Sequence, residues 1–200
     1  MSLQNLNDGH LDLLKEVTNI GLGRAAGTLN KMLSTHIELS VPAVKELTND
    51  NLNEALGLLG DDRVSIVELD FATDFTGSAA LVFPVDSSKT LIQVITGEEI
   101  ESDAMSAVQY ETFNEVGSVV LNNVLGSLGN LLEAHFTYGL PLYTEQTPNT
   151  LVTRVRNEES FVLFIEAHFI ASEFDLRGQI LLFFEVSTLG KFVEHLDKLI

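Results

Sequence analysis

Cysteine is absent from the 200 residues, so neither a disulfide nor a thiolate metal site can be built, and a reducing compartment is the expectation. Basic residues are scarce, 11 against 29 acidic, and the formal net charge of −18 repels phosphate backbones and anionic lipid. Nucleic acid and membrane surfaces are therefore not expected as partners. No apolar run approaches the roughly 18 residues a membrane helix needs, and Met1 to Asn5 lack the charged and apolar regions of a signal peptide. The expectation is a soluble, cytoplasmic protein. No Pro/Gly/Ser-rich linker divides the chain, the acidity is dispersed without a tail, and an apolar content of 45% is enough for a substantial core.

Several familiar motifs fail on context. Gly21-x-Gly23-x3-Gly27 lies inside a helical pattern, where a dinucleotide fingerprint needs a preceding strand. His36-x-Glu38 lacks the cysteine pair of a zinc deaminase, and the five histidines, His10, His36, His135, His168 and His195, show no ligand spacing, so no metal is expected. Neither Gly-x-Ser-x-Gly nor a P-loop occurs.

What is present is a pattern written twice. Asp12-x3-Glu16-x2-Asn19-x22-Pro42 recurs 99 residues later as Glu111-x3-Glu115-x2-Ser118-x22-Pro141. On a helix the first three side chains fall within roughly 60° of one another, a polar stripe about 10 Å long. The elements repeat with the stripes. Apolar periodicity predicts a helix from about Leu6 to Ser34, with Leu13, Leu14, Val17, Ile20, Gly21, Ala25, Thr28, Leu29 and Met32 opposite the stripe. A strand over His36–Leu47 follows, at a sheet edge or bulge because of Pro42, then a short helix capped by Thr48 or Asn49 and stopped by Gly60. A hairpin pairs Arg63–Phe71 with Gly77–Val85, and a helix capped by Asp86 or Ser87 ends at Gly97. After the acidic connection Glu98–Asp103 the same order returns. A long helix spans Asp103–Phe136, a strand Leu140–Gln146, a short piece Pro148–Asn157, strands Phe161–Ala171 and Leu176–Val186, and a final helix begins at Ser187 or Thr188. Gly77, Phe83 and Val85 are matched by Gly178, Phe184 and Val186 at an offset of 101, which places a few extra residues in the second hairpin turn. The expected fold is α+β: an internally duplicated, pseudo-twofold single domain over residues 1–200, with halves of about 6–97 and 103–200 and an antiparallel sheet carrying two long exposed helices.

The stripe is where chemistry is expected. Glu16 and Asn19 have Cβ atoms about 5–6 Å apart, so both side chains can reach one ligand. Neither is a strong nucleophile, but a carboxamide can hold a water molecule and align it for attack. Gly23, Ala26 and Gly27 continue the polar side with small residues, and a helical glycine costs about 1 kcal/mol relative to alanine. Two reasons stand side by side: close approach by another molecule, or close packing within the fold.

These residues resemble the CheC/CheX/FliY phosphatases of bacterial chemotaxis, in particular the two-site CheC-like members, over nearly the whole chain. The resemblance implies hydrolysis of the aspartyl phosphate of a response-regulator receiver domain similar to CheY. It implies that Glu16 binds the receiver through an active-site lysine, that Asn19 orients water in line with phosphorus, and that Asp12 and Gly23 belong to the docking face. No cofactor of its own is implied, since Mg²⁺ is expected on the partner receiver. In the second copy Glu115 keeps the acid, but Ser118 replaces the carboxamide and Glu111 replaces the first residue, with Asn122 one turn on along the stripe. One working site and one degenerate site are expected. The alternative function is a non-catalytic adaptor that binds a phosphorylated receiver or a CheD-type deamidase partner.

Overall fold

Each long helix begins with a capping box. Asn7 Oδ1 accepts from the His10 N–H at 2.9 Å while His10 Nδ1 accepts from the Asn7 N–H at 3.3 Å. Ser106 Oγ accepts from the Gln109 N–H at 3.3 Å and Gln109 Oε1 accepts from the Ser106 N–H at 2.7 Å. The same pair of positions thus starts both helices, one repeat apart. A computed structural model describes residues 6–33, 36–48, 51–57, 63–97, 106–157, 160–171 and 173–200. Asn49, Gly60 and the connection 98–103 lie outside these residues, as does the N-terminal segment 1–5.

The first half contains α1 (Asp8–Met32), β1 (Ile37–Ser40), β2 (Val44–Leu47), α2 (Leu52–Gly57), β3 (Val64–Ala72), β4 (Gly77–Pro84) and α3 (Val85–Thr96). The second contains α4 (Ala107–Leu131), β5 (Thr137–Tyr138), β6 (Leu142–Gln146), α5 (Pro148–Asn157), β7 (Ser160–Ala171), β8 (Phe174–Glu185) and α6 (Val186–Asp197). The eight strands form one antiparallel sheet in the order β1-β7-β8-β4-β3-β5, with β2 also on β7 and β6 also on β3. The fold is α+β, as expected. Each half's first strands pair with the other half's hairpin. At the centre β4 meets β8, and Ala80 faces Leu181, its own counterpart one repeat on.

Both faces of the sheet are covered, which is why Ile180–Phe184 of β8 is an unbroken apolar run instead of alternating. Ile180, Leu182 and Phe184 face the core shared with α1, α3, α4 and α6, while Leu181 and Phe183 face the smaller core closed by α2 and α5. In the larger core Phe184 lies between Phe71, at 5.2 Å, and Phe192, at 5.1 Å between ring centroids.

Four expectations change. The segment 36–47 is two strands, interrupted at residues 41–43 around Pro42. The helix after β4 starts at Val85 behind Pro84, with no side-chain cap from Asp86 or Ser87. The second long helix starts after Ser106 and stops at Leu131, short of Phe136. The extra residues of the second hairpin lengthen its strands to 12 residues each, against 9 and 8 in the first, instead of enlarging the turn.

The glycines of α1 divide between the two explanations. A Cβ on Gly21 would lie 2.8 Å from Val124 Cα and 2.9 Å from the Asn123 carbonyl oxygen, so this glycine lets α1 and α4 touch backbone to backbone. Gly23 and Gly27 have nothing within 4 Å of a Cβ. Gly21→Ala is expected to destabilise the fold by about 1–3 kcal/mol through overpacking against backbone. Gly23→Ala and Gly27→Ala should each stabilise it by up to about 1 kcal/mol. Urea unfolding of the three variants checks this.

Candidate functional site

The outward ridge of α1 carries Asp12 and Glu16, both exposed, followed by Gly23 and Gly27, also exposed. Among the described residues the Glu16 carboxylate makes no hydrogen bond or ion pair, so it is free to meet a partner. Sequence reasoning placed Ile20 on the buried side, but it is 48% exposed and lies one turn beyond Glu16. Helical geometry puts it on the border of the ridge. Met32, also assigned to the buried side, is 51% exposed.

Asn19 sits on the other border, half-buried, with its carboxamide turned to the chain next to Pro42. Its Oδ1 accepts from the Val41 N–H at 2.8 Å, and its Nδ2 donates to the Val41 carbonyl at 3.4 Å and to the Lys15 carbonyl at 3.1 Å. Eleven residues on, Asn30 does the same for Ile37, accepting from its N–H at 2.6 Å and donating to its carbonyl at 2.9 Å. The two amides hold the outer edge of β1 against α1. The spacing from Asn19 to Pro42 therefore has a structural content that the sequence pattern did not disclose: Val41 is gripped immediately before the proline that ends the pairing.

In the second half Glu111 and Glu115 point outward from α4 and are exposed. Ser118 and Asn122 turn to each other, Asn122 Nδ2 donating to Ser118 Oγ at 3.2 Å, and neither side chain is exposed. Asn122 Oδ1 is buried without a partner. The segment at Pro141 is held from a different position, Asn114, whose Nδ2 donates to the Pro141 carbonyl at 3.3 Å. The structure thus places Glu16 and Gly23 on the exposed ridge of α1 with Asn19 at its border bonded to Val41, and on α4 leaves Glu111 and Glu115 exposed with Ser118 and Asn122 bonded to each other.

Among the described residues no group of three or more His, Asp or Glu side chains could hold a metal ion, and no helix is long and apolar enough to cross a membrane.

Residues 10–46, which span the α1 stripe and Pro42, match the CheC-like family. A curated relative, the CheY-P phosphatase CheC of Bacillus subtilis (strain 168), is 28% identical over 148 residues, 70% of this chain and 69% of that one. The chain is thus similar to CheC over most of its length. Its fold superposes on the crystal structure of Thermotoga maritima FliY with a TM-score of 0.75 at 19% identity, covering 96% of this chain and 98% of the chain in that structure. The middle domain of FliM from H. pylori shares the fold at a TM-score of 0.65 and 12% identity, over 93% of this chain and 99% of that domain. At these identities the likeness to FliY and FliM is one of fold, and a shared fold does not fix a shared activity.

Removing either β1 amide leaves partly buried backbone groups unsatisfied. Asn19→Ala and Asn30→Ala are each expected to cost about 1–3 kcal/mol. Denaturant titration measures the loss, and amide exchange should be faster at Val41 in the first variant and at Ile37 in the second.

Proposed function

We propose that the protein is a phosphatase for the aspartyl phosphate of a CheY-like receiver domain, with its working site on α1. The observation that carries the reading is the exposed, unpaired Glu16 with Asn19 one turn on at the border of the same ridge, which continues through Ile20 to the bare Gly23. The similarity to a CheY-P phosphatase supports the same substrate class.

Glu16, exposed and unpaired, supplies an acceptor for a cationic side chain beside the phosphorylated aspartate of the receiver. Ile20 adds apolar contact area, and Gly23 and Gly27 let the partner's backbone come close to the helix. Asn19 aligns a water molecule opposite the acyl oxygen. The water oxygen bonds to phosphorus, the bond from phosphorus to the acyl oxygen breaks, and inorganic phosphate and the free aspartate carboxylate result. An acyl phosphate is already activated, so positioning and charge neutralisation supply most of what its loose transition state needs. The receiver would bring Mg²⁺. Asn19 must exchange its bonds to Val41, the longer of them at 3.4 Å, for the water and the receiver.

That same grip on Val41 favours a second reading, in which Asn19 is structural and the ridge only captures a phosphorylated receiver or a CheD-like partner. The α4 ridge, with Ser118 and Asn122 bonded to each other, contributes docking at most.

The two readings separate in a dephosphorylation assay with a phosphorylated CheY-like receiver, run at a temperature where every variant is folded. Asn19→Ala should slow phosphate loss about 100-fold, the scale of removing a positioned group from a transition state. Glu16→Ala should raise the receiver concentration needed for half-maximal rate, and Ser118→Ala should change little. Saturable receiver binding without faster phosphate loss would establish the adaptor instead.

A further inference from the structure

A phosphoryl group is anionic, and this chain, at a net charge of −18, repels it. In the loose transition state the charge is spread over the equatorial oxygens, and catalysis consists of positioning together with cations aimed at those oxygens. Asn19 is neutral and Glu16 is itself an anion, so this pair can position groups without neutralising them. Any cation the protein contributes has to come from the flanks of the ridge.

α1 carries Lys15, Arg24 and Lys31. Lys31, twelve residues beyond Asn19, is about 18 Å from it along the axis. Arg24 leans to α4, where its Nη1 donates to Ser127 Oγ at 3.5 Å. Lys15 is one turn before Asn19, and its carbonyl oxygen accepts from Asn19 Nδ2 at 3.1 Å. Side chains four apart have Cβ atoms about 5–6 Å from each other, and these two positions differ by only about 40° around the helix. Lys15 is half-buried, and among the described residues its ammonium makes no hydrogen bond or ion pair, although Asp12 and Glu16 lie on the same two turns.

The second copy shows which way this position faces. Asn114 and Ser118 stand one repeat on from Lys15 and Asn19. Asn114 Nδ2 donates to the Pro141 carbonyl at 3.3 Å, as Asn19 bonds the residue before Pro42, so position 15 and its counterpart lie on the helix flank that faces the motif proline. The copy without a carboxamide at the Asn19 position also lacks the lysine, while it keeps both acids, Glu111 and Glu115.

We infer that Lys15 is a third member of the α1 site, and that its ammonium contacts an equatorial oxygen of the receiver's phosphoryl group while Asn19 holds the attacking water. The inference rests on the reading of that site as a phosphatase and adds a cation to it. Lys15 and Glu16 are about 100° apart around the helix, so the acid can meet a cationic side chain of the receiver on one side of the ridge while the lysine meets phosphate on the other.

The test uses the full-length chain and a CheY-like receiver, either phosphorylated or loaded with beryllofluoride, a mimic of the phosphoryl group that is not hydrolysed, at a temperature where every variant is folded. Lys15→Met, which keeps a long unbranched stem without the charge, should lower the rate at saturating phosphorylated receiver at least about tenfold, and Lys15→Arg should keep most of the parental rate. Lys15→Met should also weaken binding of the beryllofluoride-loaded receiver about tenfold and leave binding of the unmodified receiver unchanged. The inference is overturned by a parental rate in Lys15→Met, by a higher half-saturating concentration with the saturated rate unchanged, which is docking by charge alone, or by Lys15→Arg as slow as Lys15→Met, which is packing. It is also overturned if the parent binds both receiver forms equally, or if Lys15→Met weakens both alike. Failure of the phosphatase reading looks different: the parent then leaves phosphate loss at its spontaneous rate, and the preference for the beryllofluoride form, lost or kept in Lys15→Met, decides for or against the lysine contact.

Discussion

A strand at the rim of a sheet has backbone donors and acceptors with no neighbouring strand to meet them, and here a helix answers with side-chain amides. Asn30 takes both the N–H and the C=O of Ile37, the first residue of β1, and Asn19 those of Val41, the residue just after it, so both ends of a four-residue strand are tied to α1. The position of α1 over the sheet, and with it the direction in which Asp12, Glu16 and Gly23 face, follows from that contact and from the backbone approach at Gly21. The amide that fixes the scaffold is also the one the proposed reaction would use. On the proposed reading the motif is a compromise between holding the chain next to Pro42 and reaching into a partner.

The second half keeps the plan and drops the clamp. Its capping box, long helix, edge strands, hairpin and last helix repeat those of the first half, and Gly117 admits Val67 to within 2.6 Å of where a Cβ would be. Ser118 and Gly129 stand where the two clamping asparagines would be, and Asn114 holds only the Pro141 carbonyl. Both helix positions that clamp the chain around β1 in the first half thus carry no carboxamide in the second.

The fold was legible where a pattern repeats. Helical periodicity, turn residues and the 99-residue echo led to α+β architecture and an antiparallel sheet, because each signal is local or is a comparison of the chain with itself. The exchange of edge strands between halves was not legible: hairpins announce which strands are sequence neighbours, but nothing in residues 36–47 says that their partner is β7. Ile20 was misplaced because a wheel assigns apolar residues inward, whereas α1 leaves that flank open. The acid and carboxamide of the first ridge were read from spacing. That Asn19 also grips Val41 depends on a strand 22 residues away, and the signal that could have suggested it was the second asparagine, Asn30, on the same helix flank.

Ala80 lies opposite Leu181 on the line about which the halves are related, and the strands that complete each half's sheet come from the other. A chain holding only the first hundred residues would have its hairpin exposed on one side and its β1 and β2 without a host. Two such chains, joined by no peptide bond, could satisfy each other about the same line. In a single chain the two copies carry separate sequences, so the two ridges can differ, as Asn19 and Ser118 do, without disturbing the shared sheet.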